Sequence, residues 1–377
     1  MNFEEVGLSR EIVEGLRKEK ITVPTKVQEL VIRKITQNKD LVVQSETGTG
    51  KTLAYLLPFY QSLDRTEKGM KVLILVPTHE LAMQVFEQIK RLSLDAMIPM
   101  NGITIFGDVN ITRQIEKLRE KPQIIIGTTG RILELIKKKK ITAHTIQSIV
   151  IDEADKMLDQ NNIETVKAIV KCCMRDTQLL FFSASIDKKT QEKAEMIAKE
   201  PEIIKITDKI KIPTNIEHIY FVVERREKIE QLRKIAASLN PKKALIFINK
   251  TAEIEEATEK LKYHNYNAEC IHGGCVKGER KKAIENFQSG KLQFLIATDI
   301  AARGLHIDGI SAVFHVSIPE DNQDYLHRAG RTGRGCEQGL SILIVTKEEL
   351  GKVRELERTF GISMKPKKMS QGKIVEQ

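Results

Sequence analysis

The hydrophobic positions of this chain fall in short runs that do not alternate with polar residues. Val, Ile and Leu dominate each run, and stretches with apolar residues at helical spacing separate the runs. Strands of a parallel sheet that is buried on both faces have this composition, and intervening helices cover such a sheet. We predict strands at 40–45, 72–77, 124–128, 148–152, 179–183, 244–249, 294–299, 312–317 and 340–345.

The polar segment DKIKIPTN, residues 208–215, separates two successions of these runs. We therefore predict two α/β domains, at 30–207 and 216–363, joined by 208–215 as a linker. Residues 364–377 are polar and basic, and we expect a short, frayed tail there. The lysines at 137–140 are expected to be the solvated end of a helix.

A glycine-containing loop follows the first predicted strand and precedes a helical pattern. Its sequence is VVQSETGTGKT, and it resembles the Walker A loop of P-loop ATPases. Gly48 and Gly50 permit a tight turn in which successive N–H groups point at phosphate oxygens. Lys51 would reach the β- and γ-phosphates, and Thr52 would place its hydroxyl on Mg²⁺. ATP and Mg²⁺ are therefore the predicted ligands. The predicted nucleotide-binding positions in the loop are Ser45, Glu46, Thr47, Gly48, Thr49, Gly50, Lys51 and Thr52.

An acidic pair, Asp152 and Glu153, closes the predicted strand at 148–152. Beside a phosphate-binding loop, two neighbouring carboxylates suit two tasks. Asp152 can hold Mg²⁺ as a second metal ligand after Thr52. Glu153 can orient or deprotonate the water that attacks the γ-phosphate.

Residues 152–155 spell Asp-Glu-Ala-Asp, and over essentially its whole length the chain resembles the DEAD-box RNA helicases. The resemblance implies two RecA-like domains with a cleft between them. Phe3 and PTKVQ, in a Q-motif region at 1–29, imply that Gln28 contacts the adenine edge. PTHELA, residues 77–82, resembles an RNA-backbone motif. Ser183 and Ser185 would couple hydrolysis to RNA binding.

A second specific motif, YLHRAGRTGR, occupies residues 325–334. Three arginines and a histidine are unusual core residues, and a guanidinium fork suits the charge of a phosphoryl-transfer transition state. The resemblance implies that Arg331 and Arg334 contact the γ-phosphate and that His327 links to the serine motif. Because these residues lie in the other predicted domain from Lys51, hydrolysis requires the domains to close, and RNA bridging both would favour closure.

The resemblance also implies RNA contacts along both predicted domains. The positions concerned are Pro77, Thr78, Gly107, Arg131, Arg280 and Thr298. His272-Gly273 resembles a further RNA-side motif. The chain departs from the family pattern at several positions. These departures predict weaker binding of RNA and of the adenine base and ribose of ATP. These departures are Ile21 for an aromatic residue, His79 for arginine, Asp108 for glycine, Thr129 for proline, Ser185 for threonine and His306 for aspartate.

Composition adds a prediction about partners and location. The formal net charge of +10 favours a polyanionic partner, nucleic acid first. The chain contains no apolar run long enough to span a bilayer, and its five cysteines include no C-x-x-C pair. We expect reduced thiols, a cytoplasmic location, no membrane association and a monomer, with protein partners supplying any targeting.

The predicted function is RNA-stimulated ATP hydrolysis that drives local duplex separation or RNA clamping. Two other functions stay open on the sequence alone. One is a non-hydrolysing RNA-binding scaffold with the same fold, and the other is a DNA motor of the wider superfamily. The retained set of Lys51, Thr52, Asp152, Glu153 and the two arginines argues against a scaffold.

Overall fold

A computed structural model describes residues 1–46, 48–64, 69–107, 109–206, 212–302, 307–319, 321–333 and 337–377, apart from the side chains of residues 277 and 300. The chain divides into two compact units, Met1–Asp208 and Lys209–Gln377. We call them unit one and unit two. Residues 1–29 pack as part of unit one, where Phe3, Val27 and their neighbours enter its core.

Unit one has a parallel sheet whose seven strands, counted over the described residues, follow the order β3-β4-β2-β5-β6-β1-β7. The strands are β1 (Leu41–Gln44), β2 (Val72–Leu75), β3 (Gly102–Ile105), β4 (Ile124–Gly127), β5 (Ser148–Asp152), β6 (Gln178–Ser183) and β7 (Glu202–Lys205). The helices are α1 (Arg10–Lys18), α2 (Lys26–Thr36), α3 (Lys51–Ser62), α4 (His79–Asp95), α5 (Ile111–Leu118), α6 (Thr129–Lys137), α7 (Ala154–Met157), α8 (Ile163–Cys172) and α9 (Lys188–Ile197).

The non-alternating runs form strands because both faces of the sheet are covered. Successive residues of one strand enter different cores, as Val42 and Val43 of β1 do. Helices α1 to α4 contribute to one core and α6 and α8 to the other. Because all these strands run parallel, their carboxyl ends lie on one edge of the sheet, where ligands bind in open α/β folds.

Unit two repeats this plan with the strand order β10-β11-β9-β12-β13-β8-β14-β15 in the described part of the unit. The strands are β8 (Ile216–Val222), β9 (Ala244–Phe247), β10 (Ala268–Ile271), β11 (Phe294–Ala297), β12 (Ala312–His315), β13 (Gly339–Val345), β14 (Lys365–Ser370) and β15 (Lys373–Glu376). The helices are α10 (Lys228–Leu239), α11 (Thr251–Tyr263), α12 (Lys277–Gln288), α13 (Asp299–Ala302), α14 (Asn322–Ala329) and α15 (Leu350–Phe360).

The nine predicted strands coincide with β1, β2, β4, β5, β6, β9, β11, β12 and β13, so the α/β fold class is confirmed. The lysines at 137–140 are exposed at the end of α6, as predicted.

Within the predicted linker, Ile212 is buried in a core of unit two and Asn215 donates to the Gly333 carbonyl at 2.9 Å. Among the described residues, every helix is too short or too polar to cross a bilayer.

The prediction of a frayed tail at 364–377 is wrong. β14 and β15 form an antiparallel hairpin, and β14 extends the sheet beside β8. The turn has positive φ at both central residues, 47° at Gln371 and 76° at Gly372, which is the type I′ geometry of tight hairpins. Met369 and Ile374 then pack against a core of unit two, and their burial holds the hairpin in place.

Candidate nucleotide site

The loop between β1 and α3 has the backbone of a phosphate cradle. Gly48 and Gly50 have φ of +80° and +88°, a conformation that favours glycine. A Cβ on Gly50 would lie 2.5 Å from the amide nitrogen of Gln28 and would displace that side chain. Gln28 donates to the Gly50 carbonyl at 3.2 Å and accepts from the Thr25 N–H at 2.9 Å. Its buried amide thus ties the start of α2 to the loop.

Lys51 begins α3 and folds back over the loop. Its Nζ donates to the carbonyls of Ser45 at 2.5 Å and Glu46 at 2.8 Å. Burial lowers the pKa of Lys51, while the nearby carboxylates, Asp152 first, oppose that shift. The ammonium therefore lies in a buried acidic surrounding and donates to two loop carbonyls, which phosphate oxygens could replace.

Asp152 ends β5 on the same edge of the sheet and is buried. Its Oδ1 accepts from the Glu153 N–H at 2.9 Å, and its Oδ2 accepts from the Tyr55 hydroxyl at 3.0 Å. The Thr52 side chain lies near the same phenol. Tyr55 is therefore hydrogen-bonded to one of the residues predicted to hold Mg²⁺, Asp152, and lies beside the other, Thr52.

This donor set fits a hard divalent cation. Burial raises the pKa of Asp152 to about 6, although Lys51 lowers it. A further positive charge nearby would therefore stabilise the ionised form of this buried carboxylate. Mg²⁺ prefers carboxylate and hydroxyl oxygens and keeps several of its waters. Asp152 and Thr52 supply those oxygens beside the loop.

Glu153 follows Asp152 in a left-handed conformation, with φ of 50°, at the start of α7. Its carboxylate forms an ion pair with Lys156 at 2.7 Å, and both side chains are mostly buried. A positive φ costs a non-glycine residue some backbone strain, and such residues occur at helix ends and turns as well as at functional sites. The left-handed residue turns the chain directly after the metal-ligand candidate.

The serine motif, residues 183–185 at the end of β6, is hydrogen-bonded to the loop before α3 and to the acidic segment at residues 152–155. The Ser183 carbonyl accepts from the Ser45 N–H at 2.9 Å, and the Ser183 hydroxyl donates to Asp155 Oδ1 at 2.6 Å. Burial raises the pKa of Asp155. Ser185, fully buried, donates its N–H to the Ser183 hydroxyl at 3.3 Å. The serine motif is thus joined by one hydrogen bond to the loop, at Ser45, and by another to Asp155.

The predicted RNA contacts of unit one lie at neighbouring strand ends. Pro77 and Thr78 follow β2, and the Thr78 hydroxyl caps α4 by accepting from the Leu81 N–H at 3.2 Å. Arg131 on α6 donates to the carbonyls of Gly107 and Val109, the latter at 2.9 Å. The structure therefore brings Gly107 and Arg131 together.

In unit two, Arg331 lies just after α14, where its Nε donates to the His327 carbonyl at 3.1 Å. Arg328, from the same motif, is 2% exposed and belongs to the core. It makes a bidentate pair with Asp299 at 2.6 and 2.5 Å and donates to the Ser317 carbonyl. The expectation that these arginines avoid the core is wrong for Arg328, because Asp299 neutralises its charge.

Two predicted RNA-side residues of unit two meet at α13. Arg280 on α12 donates to the Ala301 carbonyl at 3.2 Å, and the Thr298 hydroxyl accepts from the Ala301 N–H at 3.2 Å. Thr298 follows β11 at the carboxyl edge of the second sheet. Several predicted positions lie outside the described residues. They are Thr47, Asp108, His306 and Arg334.

The sequence reasoning missed two members of the site. Tyr55 lies one helical turn after Lys51 on α3, at the spacing that puts side chains on one face. Asp155 is the last residue of the acidic tetrad, and it received no role. Spacing could have indicated Tyr55, but the partner of its hydroxyl lies 97 positions away in the sequence.

The chain is similar to known proteins over most of its length. Residues 25–194 match the family described as DEAD/DEAH box helicase, and residues 227–336 match the family described as helicase conserved C-terminal domain. The DEAD-box ATP-dependent RNA helicase CshC of Bacillus cereus is 38% identical over 352 residues, which cover 93% of this chain and 90% of that protein. The ATP-dependent RNA helicase CshA of Listeria monocytogenes is 35% identical over 364 residues, covering 97% of this chain and 70% of that one.

Solved structures give the same result for the fold. The chain is similar to Saccharomyces cerevisiae Dbp5 bound to RNA and ADP BeF3, with a TM-score of 0.88, 27% identity and coverage of 97% of this chain and 95% of that chain. It is also similar to Mss116p bound to ssRNA and AMP-PNP, with a TM-score of 0.87, 25% identity and coverage of 98% and 79%.

Proposed function

Because this chain belongs to the DEAD-box ATP-dependent RNA helicase family, we propose that it hydrolyses ATP at the carboxyl edge of the first sheet and uses the reaction to remodel RNA. One observation carries the proposal. A continuous hydrogen-bonded set joins the phosphate loop to the serine motif and the acidic segment, through Ser45, Ser183 and Asp155.

ATP binding would use the open backbone of the loop and the first turn of α3. The N–H groups around Gly48 and Gly50 would meet the phosphates, and Lys51 would exchange its two carbonyl partners for phosphate oxygens. Thr52 and Asp152 would hold Mg²⁺, which neutralises charge on the β- and γ-phosphates. Gln28, which is proposed to contact the adenine edge, also donates a hydrogen bond to the Gly50 carbonyl in the loop.

Hydrolysis would take place when water attacks the γ-phosphorus and ADP leaves. Glu153 would accept the proton of that water, because it follows Asp152 and its side chain is held in position by Lys156. Arg331 and Arg334 would stabilise the charge on the transferred phosphoryl group. These arginines belong to unit two, so we propose that closure of the two units completes the site.

RNA binding would favour closure by contacting both units at once. Pro77, Thr78, Gly107 and Arg131 are the proposed contacts of unit one, and Arg280 and Thr298 those of unit two. The hydrogen bonds from Ser183 to Ser45 and Asp155 support a route by which RNA binding reaches the nucleotide. His327 is proposed to join that route from unit two, with Ser185 as the receiving residue.

The test compares ATP turnover by the purified chain alone, with single-stranded RNA, and with single-stranded DNA of the same sequence. We expect turnover to rise several-fold or more with RNA and little with DNA. RNA affinity should fall steeply with salt, as contacts to a phosphate backbone require. Equal stimulation by DNA would indicate a DNA motor, and RNA binding without any ATP turnover would indicate a scaffold; either result overturns the proposal.

Tyr55→Phe should raise the Mg²⁺ concentration needed for half-maximal ATP turnover by about tenfold. Phenylalanine keeps the buried ring but removes the hydroxyl that donates to Asp152, and a hydrogen bond to a charged group contributes about 1.5–3 kcal/mol. Turnover at saturating Mg²⁺ should change much less, because Tyr55 is a positioning residue.

The matched control is Tyr60→Phe on the same helix. The Tyr60 hydroxyl is also engaged, with the Ile89 carbonyl and Ser93 Oγ, each at 2.7 Å, but it lies outside the site. Tyr60→Phe should lower thermal stability without changing the Mg²⁺ requirement. If the two variants have the same Mg²⁺ dependence, Tyr55 has only a structural role.

A further inference from the structure

The segment that leads from β10 into α12 carries three side chains of a kind that binds soft metal ions. Cys270, His272 and Cys275 each offer a ligand atom, and these atoms lie within 4.8 Å of one another. Cys270 and His272 are two residues apart in extended chain, so their side chains share one side of the strand. A tight turn, with the Cys275 N–H donating to the His272 carbonyl at 3.2 Å, returns Cys275 to that side.

The turn is organised around the sulfur of Cys275 and the imidazole of His272. Cys275 Sγ accepts from the His272 N–H at 3.3 Å, and its thiol contacts the Cys270 carbonyl at 3.8 Å. The Gly274 N–H donates to His272 Nδ1 at 3.2 Å, which fixes the ring on the turn. A Cβ on Gly274 would come within 3.3 Å of two ring atoms, so glycine lets the ring lie close to the backbone.

The chemistry of this set favours zinc-like ions over hard cations. Two thiolates and one imidazole are the ligands of Zn²⁺ sites that keep a fourth position for water or an outside group. Metal–ligand bonds of about 2.0–2.3 Å would require the three ligand atoms to approach to roughly 3.3–3.8 Å. All three side chains are half-buried beside the exposed Gly273, so an ion can enter from solvent and small side-chain rotations can close the set.

We propose that Cys270, His272 and Cys275 form a binding site for a single zinc-class ion in unit two. This site is separate from the proposed nucleotide site, and its three ligands come from this unit alone. It would fix the turn that carries His272 and Gly273, immediately before α12. A disulfide between Cys270 and Cys275 is the competing use of these thiols, but it leaves the imidazole without a role in the cluster.

Co²⁺ is a suitable spectroscopic probe, because thiolate ligands give it a charge-transfer absorption and tetrahedral geometry gives it intense visible bands. The full chain, reduced and stripped of metal with a chelator, should bind one Co²⁺ with both features, and Zn²⁺ should displace it. Cys275→Ser and Cys270→Ser should each weaken binding by at least about 100-fold, because even residues that only support a ligand commonly contribute 10–100-fold.

The matched control replaces the remaining cysteines together, as Cys172→Ser, Cys173→Ser and Cys336→Ser, and should bind Co²⁺ like the parent. A measurement on the unsubstituted chain covers the case in which a cluster variant fails to fold. Zn²⁺ should slow alkylation of Cys270 and Cys275, located by mass spectrometry, and leave Cys172, which is exposed, equally reactive.

Three results would overturn the proposal. The first is the absence of a charge-transfer band in the reduced chain, and the second is a band that persists in Cys275→Ser. The third is a Cys270–Cys275 disulfide that re-forms in air in a chain whose reduced form binds no metal, which would make the pair a redox couple. Zinc-dependent protection of both thiols together with a one-to-one Co²⁺ spectrum would establish the site.

Discussion

Arg331→Ala is expected to lower RNA-stimulated ATP turnover by roughly 10³-fold, the loss that removal of an arginine finger causes in other phosphoryl-transfer enzymes. The position of the residue supports this role. Its Nε donates to the His327 carbonyl at 3.1 Å and its N–H to the Arg328 carbonyl at 3.1 Å. Arg328 is itself held by its ion pair with Asp299, so the backbone that carries Arg331 at the end of α14 is fixed in position.

ATP affinity measured without RNA should change by less than about threefold in Arg331→Ala. The residues proposed to bind ATP before closure, Lys51 above all, belong to unit one, whereas Arg331 belongs to unit two. Arg331→Lys should recover only a small part of the turnover, because lysine keeps the charge but lacks the planar fork. The readouts are RNA-stimulated phosphate release and equilibrium binding of ATP.

Arg354→Ala is the matched control, because Arg354 is an exposed arginine of the same unit, on α15. It should hydrolyse ATP like the parent. Turnover in Arg331→Ala within threefold of this control would show that the arginine acts elsewhere. A large loss of ATP affinity without RNA would contradict the assignment of Arg331 to the closed state.

All the strands that the sequence predicted are interior ones that are buried on both faces and read as continuous apolar runs. The interior strand β8 was missed because exposed and half-buried residues interrupt its apolar positions. β3 and β7 lie at the two edges of the first sheet and show a mixed burial pattern, so the same criterion does not detect them. β10 is the edge of the second sheet and was missed for the same reason. The hairpin of β14 and β15 depends on a Gln-Gly turn, which is a weaker signal than Asn-Gly.

The site was predictable where its chemistry is local in sequence. The loop around Lys51 and the tetrad at 152–155 each contain the residues of their proposed function within a few consecutive positions. Tyr55 and Arg328 were not predictable in this way, since their roles depend on partners brought close by the fold, Asp152 and Asp299. Arg328 therefore lies in a core although its motif resembles a charged surface loop, and Tyr55, on a helix, lies at the proposed metal site.

Glu153→Gln is expected to lower ATP turnover by about 100-fold or more, the range for loss of a general base, while ATP and RNA binding remain close to the parent. Glutamine keeps the size of the side chain but cannot accept the proton of the attacking water. The substitution also adds no backbone strain at residue 153, which holds a positive φ of 50°, because glutamate and glutamine have the same Cβ. Lys51→Ala should instead weaken ATP binding itself, since the lysine is proposed to contact the phosphates before chemistry.

Glu164→Gln is the matched control for this prediction. Glu164 and Lys167 on α8 form an ion pair at 2.9 Å with the same three-residue spacing as Glu153 and Lys156, but on the exposed surface of unit one. Loss of a surface pair of this kind has little effect, so Glu164→Gln should retain parental turnover. The measurements are steady-state phosphate release with RNA and equilibrium binding of ATP and RNA. Because Glu153→Gln would bind both ligands and fail at the chemical step, the complex with ATP and RNA should accumulate and dissociate slowly. Hydrolysis by Glu153→Gln at the rate of Glu164→Gln would remove Glu153 from the mechanism and leave the attacking water without an assigned base.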